Sequence, residues 1–137
     1  MSDLSGTITP VVTIGVAGGS GSGKTTVSNA ILERVGTDHI AYLAHDAYYK
    51  DIRDIPHLHT DVINFDHPDA LETELLIDHI KQLKQGRSVP VPVYDFTTYC
   101  RTNEVRIVKP QPIVLVEGIL IFAEPDLRSL FDARIFV

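Results

Sequence analysis

A glycine-rich loop between an apolar stretch and a helix-like stretch restricts the fold of this chain more than any other feature. Residues 18–25 have the sequence GGSGSGKT, which fits the pattern G-x-x-x-x-G-K-[ST]. The loop follows the apolar stretch 11–17 and precedes residues 26–35, where apolar side chains recur at helical spacing. A Gly/Ser linker would lack such flanks. The pattern therefore predicts a phosphate-binding loop in an α/β domain that binds a nucleoside triphosphate.

The residue types of the loop suit the charge of a triphosphate. Backbone N–H groups can approach phosphate oxygens closely only where side chains are absent, as at Gly18, Gly21 and Gly23. The positive end of the following helix also favours an anion, while Lys24 is expected to reach the β- and γ-phosphates and Thr25 to ligate Mg²⁺. The predicted nucleotide-binding residues are Gly18, Gly19, Ser20, Gly21, Ser22, Gly23, Lys24, Thr25 and Thr26.

Composition and charge limit the partners that the chain is expected to have. Its 137 residues, 44% of them hydrophobic, suffice for one packed domain. The formal charge of −6 and the lack of a Lys/Arg run argue against a nucleic-acid partner. The sequence shows no basic and apolar leader of the secretory type and no apolar stretch long enough for a membrane span. It has one cysteine, so no internal disulfide can form. We therefore expect a cytoplasmic protein that acts on a small charged metabolite, without nucleic-acid or membrane partners.

Apolar periodicity and turn residues predict alternating strands and helices. Strands are predicted at residues 11–17, 39–44, 113–116 and 133–137. Helices are predicted at residues 26–35, from near Pro68 to Gly86, and at 126–131. The longer of the last two carries Leu71, Leu75, Ile80 and Leu83 near one face. This alternation is typical of a doubly wound parallel sheet, the fold of P-loop NTPases.

Two further segments are predicted from local composition. Residues 46–64 are polar and lack a clear period, which indicates a long loop with a short helical piece, and such loops are usually functional. Residues 89–96 and 104–109 are expected to pair as an inserted antiparallel ribbon across residues 97–103, with Pro90 and Pro92 holding its first arm at an edge.

Two acidic residues are predicted to join the phosphate loop at one edge of the sheet. Ligands of open parallel sheets bind outside the carboxyl ends of the strands, where Asp46 follows the second strand and Glu117 follows the strand 113–116. Asp46 is the candidate general base, and Glu117 occupies the place of a Walker B carboxylate. Thr25, Glu117 and Asp46 are therefore the predicted metal-site residues. A turn cap at Asp46 and a surface charge at Glu117 are the alternatives.

Five ordered segments resemble uridine/cytidine kinases, of the phosphoribulokinase and uridine kinase group of P-loop kinases. They are Gly18–Thr25, Asp46–Lys50, Asn64–Ala70, Pro92–Phe96 and Val116–Leu120. The resemblance implies an enzyme that transfers the γ-phosphate of ATP or GTP, with Mg²⁺, to the 5′-hydroxyl of a pyrimidine ribonucleoside in salvage. It implies that Asp46 is the base and that Lys24 takes part in catalysis.

The resemblance also implies an acceptor site. In the family the aspartate matching Asp66 binds the ribose hydroxyls, and aromatic residues line the base pocket. The implied acceptor residues are Tyr49, Phe65, Asp66, Tyr94, Phe96, Tyr99 and Ile119. Ordinary strand packing is the alternative for the aromatic residues.

Tyr99 departs from the family pattern. Many members carry histidine at this position, three residues after the match to Phe96, where it hydrogen-bonds the pyrimidine edge. An imidazole can present a donor or a lone pair by changing tautomer, whereas a phenol is bulkier and need not tolerate both bases. We therefore hypothesise a narrowed base preference that favours cytidine.

The length of this chain is the second departure from the family pattern. Family members run to roughly two hundred residues, so residues 1–137 are expected to form a single P-loop kinase domain that matches the N-terminal two-thirds of the family domain. The arginine-bearing lid would lie in the remaining third. Family members are commonly tetrameric, which implies a homo-oligomer. The competing interpretations are another kinase of the group, such as a phosphoribulokinase, and a truncated nucleotide-binding module without turnover.

Overall fold

The secondary structure alternates between strands and helices along the chain. The structure is a computed structural model, and it describes residues 10–19, 21, 23–50 and 70–137. The strands in these ranges are β1 (Val12–Ala17), β2 (Ile40–Ala44), β3 (Val89–Asp95), β4 (Cys100–Val108), β5 (Ile113–Gly118) and β6 (Ala133–Phe136). The helices are α1 (Lys24–Val35), α2 (Thr73–Lys84) and α3 (Pro125–Arg128), with 3-10 turns at Thr37–His39 and His45–Tyr48.

A four-stranded parallel sheet forms the centre of the fold, in the order β2-β5-β1-β6. In this register Glu117 of β5 lies opposite Val16 of β1 on one side and Ala44 of β2 on the other. The carboxyl ends of three neighbouring strands therefore meet at one edge. The phosphate loop, the turn after β2 and Glu117 all lie at that edge, as predicted.

Apolar side chains of alternating strand positions cover both faces of the sheet. Val16, Ile40 and Leu115 form one buried cluster, against which α1 packs through Val27, Ile31 and Leu32. Leu43, Val114 and Val116 belong to the opposite cluster, which also takes in residues of α2 and α3. Burial of both faces explains why the strands are almost continuously apolar, and helices on both faces confirm the doubly wound fold.

The antiparallel pair β3 and β4 confirms the predicted ribbon but not its connection. Val89, Val91 and Val108 face the larger core, whereas Pro90 and Pro92 pair with Ile107 and Val105 on the outer side. We predicted a connection over residues 97–103, but β4 begins at Cys100 and the two arms meet at a tight turn. The polar residues 101–104 misled the prediction because most of this arm faces solvent and therefore carries no apolar pattern.

Several helix predictions need correction. Leu71 is not on α2 but in an isolated antiparallel bridge with Tyr49, and the buried face of α2 consists of Leu76, His79, Ile80 and Leu83. The helix predicted at 126–131 ends at Arg128. On α1, Val35 is 38% exposed, while Leu32 packs against the apolar cluster of the sheet. The part of the chain that the structure describes contains no helix with the length and hydropathy needed to span a membrane.

Candidate active site

Glycines give the phosphate loop a backbone shape that other residues adopt at a cost. Gly21 has φ 76° and Gly23 has φ 100°, both in the left-handed region, where a Cβ atom would be strained. Gly23 also forms the N-cap of α1, and its carbonyl accepts a hydrogen bond from the Val27 N–H at 3.0 Å. Lys24 is therefore the first residue of a helix that begins at the carboxyl edge of the sheet. Thr25 and Thr26 lie exposed in its first turn.

A cavity of about 230 Å³ lies at this edge and collects six of the predicted site residues. The six predicted residues that line it are Lys24, Asp46, Tyr49, Phe96, Glu117 and Ile119. The start of α1, the turn after β2 and strand β5 thus contribute charged side chains, while the ribbon and the start of the β5–α3 connection contribute apolar ones. The cavity thus combines charged side chains, which suit phosphate groups, with apolar side chains, which suit a flat ring.

The Asp46 carboxyl lies near two other charged groups. It follows β2 in the 3-10 turn His45–Tyr48. Its pKa is raised above the ordinary value, first because protein atoms partly displace solvent around it and second because of the charge of Glu117, while Lys24 acts in the opposite direction. These opposing effects place one cation and two carboxylates within electrostatic range of each other. A carboxylate with a raised pKa is suited to accept a proton from a hydroxyl.

The Glu117 carboxylate has one oxygen that a cation could satisfy. Its neighbour Tyr42 on β2 donates a hydrogen bond to the carboxylate, and burial together with the Glu117 charge raises the pKa of that phenol to about 12. Within the described ranges, Glu117 Oε1 is buried and has no hydrogen-bond partner. A buried, unpaired carboxylate oxygen costs free energy unless a cation or a donor satisfies it.

The hydroxyl oxygen of Thr25 and the carboxylate oxygens of Glu117 fit the ligand preference of Mg²⁺, which takes one or two protein ligands together with phosphate oxygens. Thr25 and Glu117 are the candidates to hold it. The described residues contain no cluster of three or more His, Cys, Asp or Glu side chains that would bind a metal without the nucleotide.

Three aromatic rings form the apolar wall. The ring centroids are 4.9 Å apart for Tyr94 and Phe96, 5.6 Å for Tyr49 and Tyr94, and 5.8 Å for Tyr49 and Phe96. Phe96 is 52% exposed although it contacts both tyrosines, so one side of its ring remains open. Ile119 lines the same cavity from the end of β5. An open aromatic face beside an aliphatic side chain can stack a planar ligand.

The structure does not bring every predicted residue into this cavity. Tyr99 lies at the turn between β3 and β4 with φ 57°, and it is not among the residues that line the cavity. Tyr94 supports the wall from behind through its ring contacts. Ser20, Ser22, Phe65 and Asp66 lie outside the described residues, as does Pro68.

Sequence reasoning missed His45, which also lines the cavity. Its side chain is buried, and burial lowers the pKa of the imidazole to about 4. Its Nε2 atom lies 3.1 Å from the Thr73 hydroxyl at the start of α2. His45 also packs closely against Gly118. A Cβ atom on Gly118 would lie 2.6 Å from the Cβ of His45, so this close approach requires a glycine after Glu117. The sequence signal that could have indicated His45 is its position directly before the predicted base Asp46, together with the glycine directly after Glu117.

Comparisons with known proteins identify the family of the chain. The profile of the Phosphoribulokinase / Uridine kinase family matches residues 13–137. A uridine kinase of Chloroflexus aurantiacus (strain ATCC 29366 / DSM 635 / J-10-fl) is 52% identical over 128 residues, which cover 93% of this chain and 61% of that protein. A uridine kinase of Ligilactobacillus salivarius (strain UCC118) is 45% identical over 128 residues, which cover 93% of this chain and 60% of that protein.

A solved structure shares the fold. A protein from Bacillus stearothermophilus described as a possible uridine kinase superposes with a TM-score of 0.74 at 21% identity, covering 97% of this chain and 73% of that chain. At that identity the likeness concerns the fold alone. The chain spans about 61% of the length of the first curated relative. Because the family profile matches nearly the whole chain, the chain belongs to the phosphoribulokinase and uridine kinase family.

Proposed function

We propose that this protein is a nucleoside kinase, which transfers the γ-phosphate of ATP or GTP to the 5′-hydroxyl of uridine or cytidine in cytoplasmic pyrimidine salvage. One observation carries the proposal: Lys24, Asp46 and Glu117 line the same cavity as the open face of Phe96. That arrangement offers a phosphate anchor, a base and a surface for a ring within one space. The names of the curated relatives support the acceptor class.

The donor nucleotide is expected to bind on the glycine loop. Lys24 at the start of α1 would neutralise charge on the β- and γ-phosphates as the bond to the γ-phosphorus loosens. Thr25 and Glu117 would hold Mg²⁺, which supplies further neutralisation of the phosphate oxygens when bound. Both effects act on charge that is greatest in the transition state, so they lower the barrier.

The acceptor is expected to lie between Asp46 and the aromatic wall. Tyr49 and Phe96, with Tyr94 behind them, would stack the pyrimidine ring, and Ile119 would cover its other side. The Asp46 carboxylate would accept the proton of the 5′-hydroxyl while the acceptor oxygen forms its bond to the γ-phosphorus. The bond from that phosphorus to the bridging oxygen breaks, and the nucleoside diphosphate leaves.

A phosphoribulokinase-like acceptor is the less favoured interpretation. An acceptor that already carries phosphate needs cationic side chains to bind it. Arg53 and Arg101 are the isolated cationic residues that could take that role. Arg53 lies outside the described residues, and the Arg101 guanidinium is engaged by Glu72, with Nη1 at 2.7 Å from Oε1. The apolar wall and the engaged arginine together favour an uncharged acceptor such as a nucleoside.

Finer features of the proposal concern the domain, the assembly and the base. Residues 1–137 would form one P-loop kinase domain, and the protein would assemble as a homo-oligomer. Tyr99 would favour cytidine over uridine from the turn that also carries Phe96. The test is kcat/KM for both nucleosides: we expect a higher value for cytidine and a ratio near one in Tyr99→His. Equal values in the unsubstituted protein would contradict the base preference.

Binding and turnover measured on the same protein test the proposed function. Isothermal titration with a nonhydrolysable ATP analogue and with cytidine should show one site for each. Incubation with MgATP and cytidine should then yield cytidine monophosphate. Nucleotide binding without nucleoside binding or turnover would favour a non-catalytic module, and turnover of a sugar phosphate instead would favour the phosphoribulokinase interpretation.

A further inference from the structure

Arg101 lies at the junction of three segments. From its place near the start of β4 it pairs with Glu72, whose Oε1 is 2.7 Å from Nη1. Its Nε donates to the Tyr49 carbonyl at 3.1 Å, and its Nη2 lies 3.4 Å from the Tyr48 carbonyl. One planar guanidinium thus meets acceptors from the end of the Asp46 turn and from the residue that precedes α2.

The segments joined in this way are also bonded to each other. The Glu72 N–H donates to the Tyr48 carbonyl at 2.8 Å, and the Lys50 N–H donates to the Ala70 carbonyl at 2.8 Å. Arg101 spans this junction and ties it to β4, which pairs with the strand leading to Phe96. The residue therefore connects the segment that carries the base to the ribbon that carries the aromatic wall.

We propose that Arg101 is a positioning residue, which fixes Asp46 and Tyr49 relative to Tyr94 and Phe96 on the ribbon and so sets the geometry of the acceptor. This inference rests on the proposed nucleoside kinase function. Arg101 is not among the residues that line the cavity, so it acts through the backbone of Tyr48 and Tyr49. Because phosphoryl transfer depends on alignment, a small displacement of the base segment lowers the rate steeply.

If Arg101 had a purely structural role, its removal would lower stability more than it lowers catalysis. The Arg101 and Glu72 side chains are 26% and 40% exposed, and ion pairs with this much solvent contribute little to stability. Removal of the guanidinium should therefore change catalysis more than it changes unfolding. The phosphate loop makes none of the hydrogen bonds to Arg101 described above, so nucleotide affinity should not change.

Arg101→Gln tests the inference, with Arg134→Gln as the matched control. Arg134 also donates to a main-chain carbonyl, that of Arg128 at 3.2 Å, but it lies on β6 away from the base segment. We expect Arg101→Gln to lower kcat by about tenfold to a hundredfold and to raise the KM for cytidine. The Kd of the ATP analogue should stay within about twofold in both variants. Arg101→Lys should not restore kcat, because an ammonium lacks the planar fork.

Hydrogen exchange separates this inference from the proposed function. In Arg101→Gln the amides of Lys50 and Glu72 should exchange faster than in Arg134→Gln, whether or not a nucleoside is the acceptor. If the unsubstituted protein phosphorylates no nucleoside, the proposed function fails, and unchanged exchange in Arg101→Gln independently overturns the positioning role. Kinetics of Arg101→Gln equal to those of Arg134→Gln would also overturn it. Should Arg101→Gln not fold, Glu72→Gln, which weakens the same junction, must show the same pattern in milder form.

Discussion

His45 shows how a single buried residue can set the acid stability of the fold. Burial lowers the pKa of the imidazole from 6.5 to about 4. The unfolded chain therefore binds a proton between these values that the native chain does not bind, so stability rises with pH across this interval. The contribution is complete above pH 6.5 and is lost as the pH falls toward 4, and a shift of this size corresponds to about 3 kcal/mol.

Urea unfolding of the unsubstituted protein and of His45→Gln, without nucleotide or metal, measures this effect. We expect the unsubstituted protein to lose more free energy of unfolding between pH 7 and pH 4.5 than the variant does, because glutamine does not titrate. All other titrating groups are common to both proteins. An equal loss in the two proteins would show that His45 is not buried in its neutral form.

Gly118 makes a second residue-scale prediction. A Cβ atom at this position would lie 2.6 Å from the Cβ of His45, which cannot move without displacing backbone, and 2.8 Å from Cγ2 of Ile121. Gly118→Ala should therefore destabilise the fold by about 1–3 kcal/mol in urea unfolding. At Gly19, where a Cβ would meet nothing within 4 Å, alanine should change stability by less than about 0.5 kcal/mol. Similar stabilities for the two variants would contradict the packing described here.

At the scale of elements, the β3–β4 ribbon should separate acceptor binding from stability. Phe96→Ala removes the open wall of the cavity from a residue that is 52% exposed. We expect the KM for cytidine to rise about tenfold, with the Kd of the ATP analogue unchanged and little loss of stability. Ile107 lies on the outer side of the same ribbon and is 59% exposed. Ile107→Ala should leave the KM unchanged, and an equal rise in both variants would refute a specific wall.

The elements were predictable where local patterns and packing agree. The glycine loop, the apolar strands and the Gly36 and Gly86 stops describe the core strands and helices closely, since both faces of the sheet are buried. The start of β4 was not predictable, because solvent covers most of that arm and removes the apolar signal. The bridge between Leu71 and Tyr49 was missed because a leucine beside a helix has the same apolar signature as one within it.

At the scale of the whole molecule, the parallel sheet explains why distant residues meet. The sequence predicts that Lys24, Asp46 and Glu117 lie together because the carboxyl ends of parallel strands share one edge, and the three residues line one cavity. The positions of the residues that support these three side chains could not be predicted from the strand order. Arg101 reaches the Tyr48 carbonyl across 53 residues, and His45 reaches Thr73 across 28. Such contacts depend on three-dimensional packing that no local pattern encodes.

The central claim is that Asp46 is the base of a phosphoryl transfer to a nucleoside, and the rate of a single turnover with MgATP and cytidine tests it most directly. We predict that Asp46→Asn lowers this rate by about 10² to 10⁴, with the Kd of the ATP analogue unchanged. Asp38→Asn is the matched control, because this exposed aspartate precedes β2 at the opposite edge of the sheet and should keep full activity. An Asp46→Asn protein that phosphorylates cytidine as fast as Asp38→Asn would contradict the account.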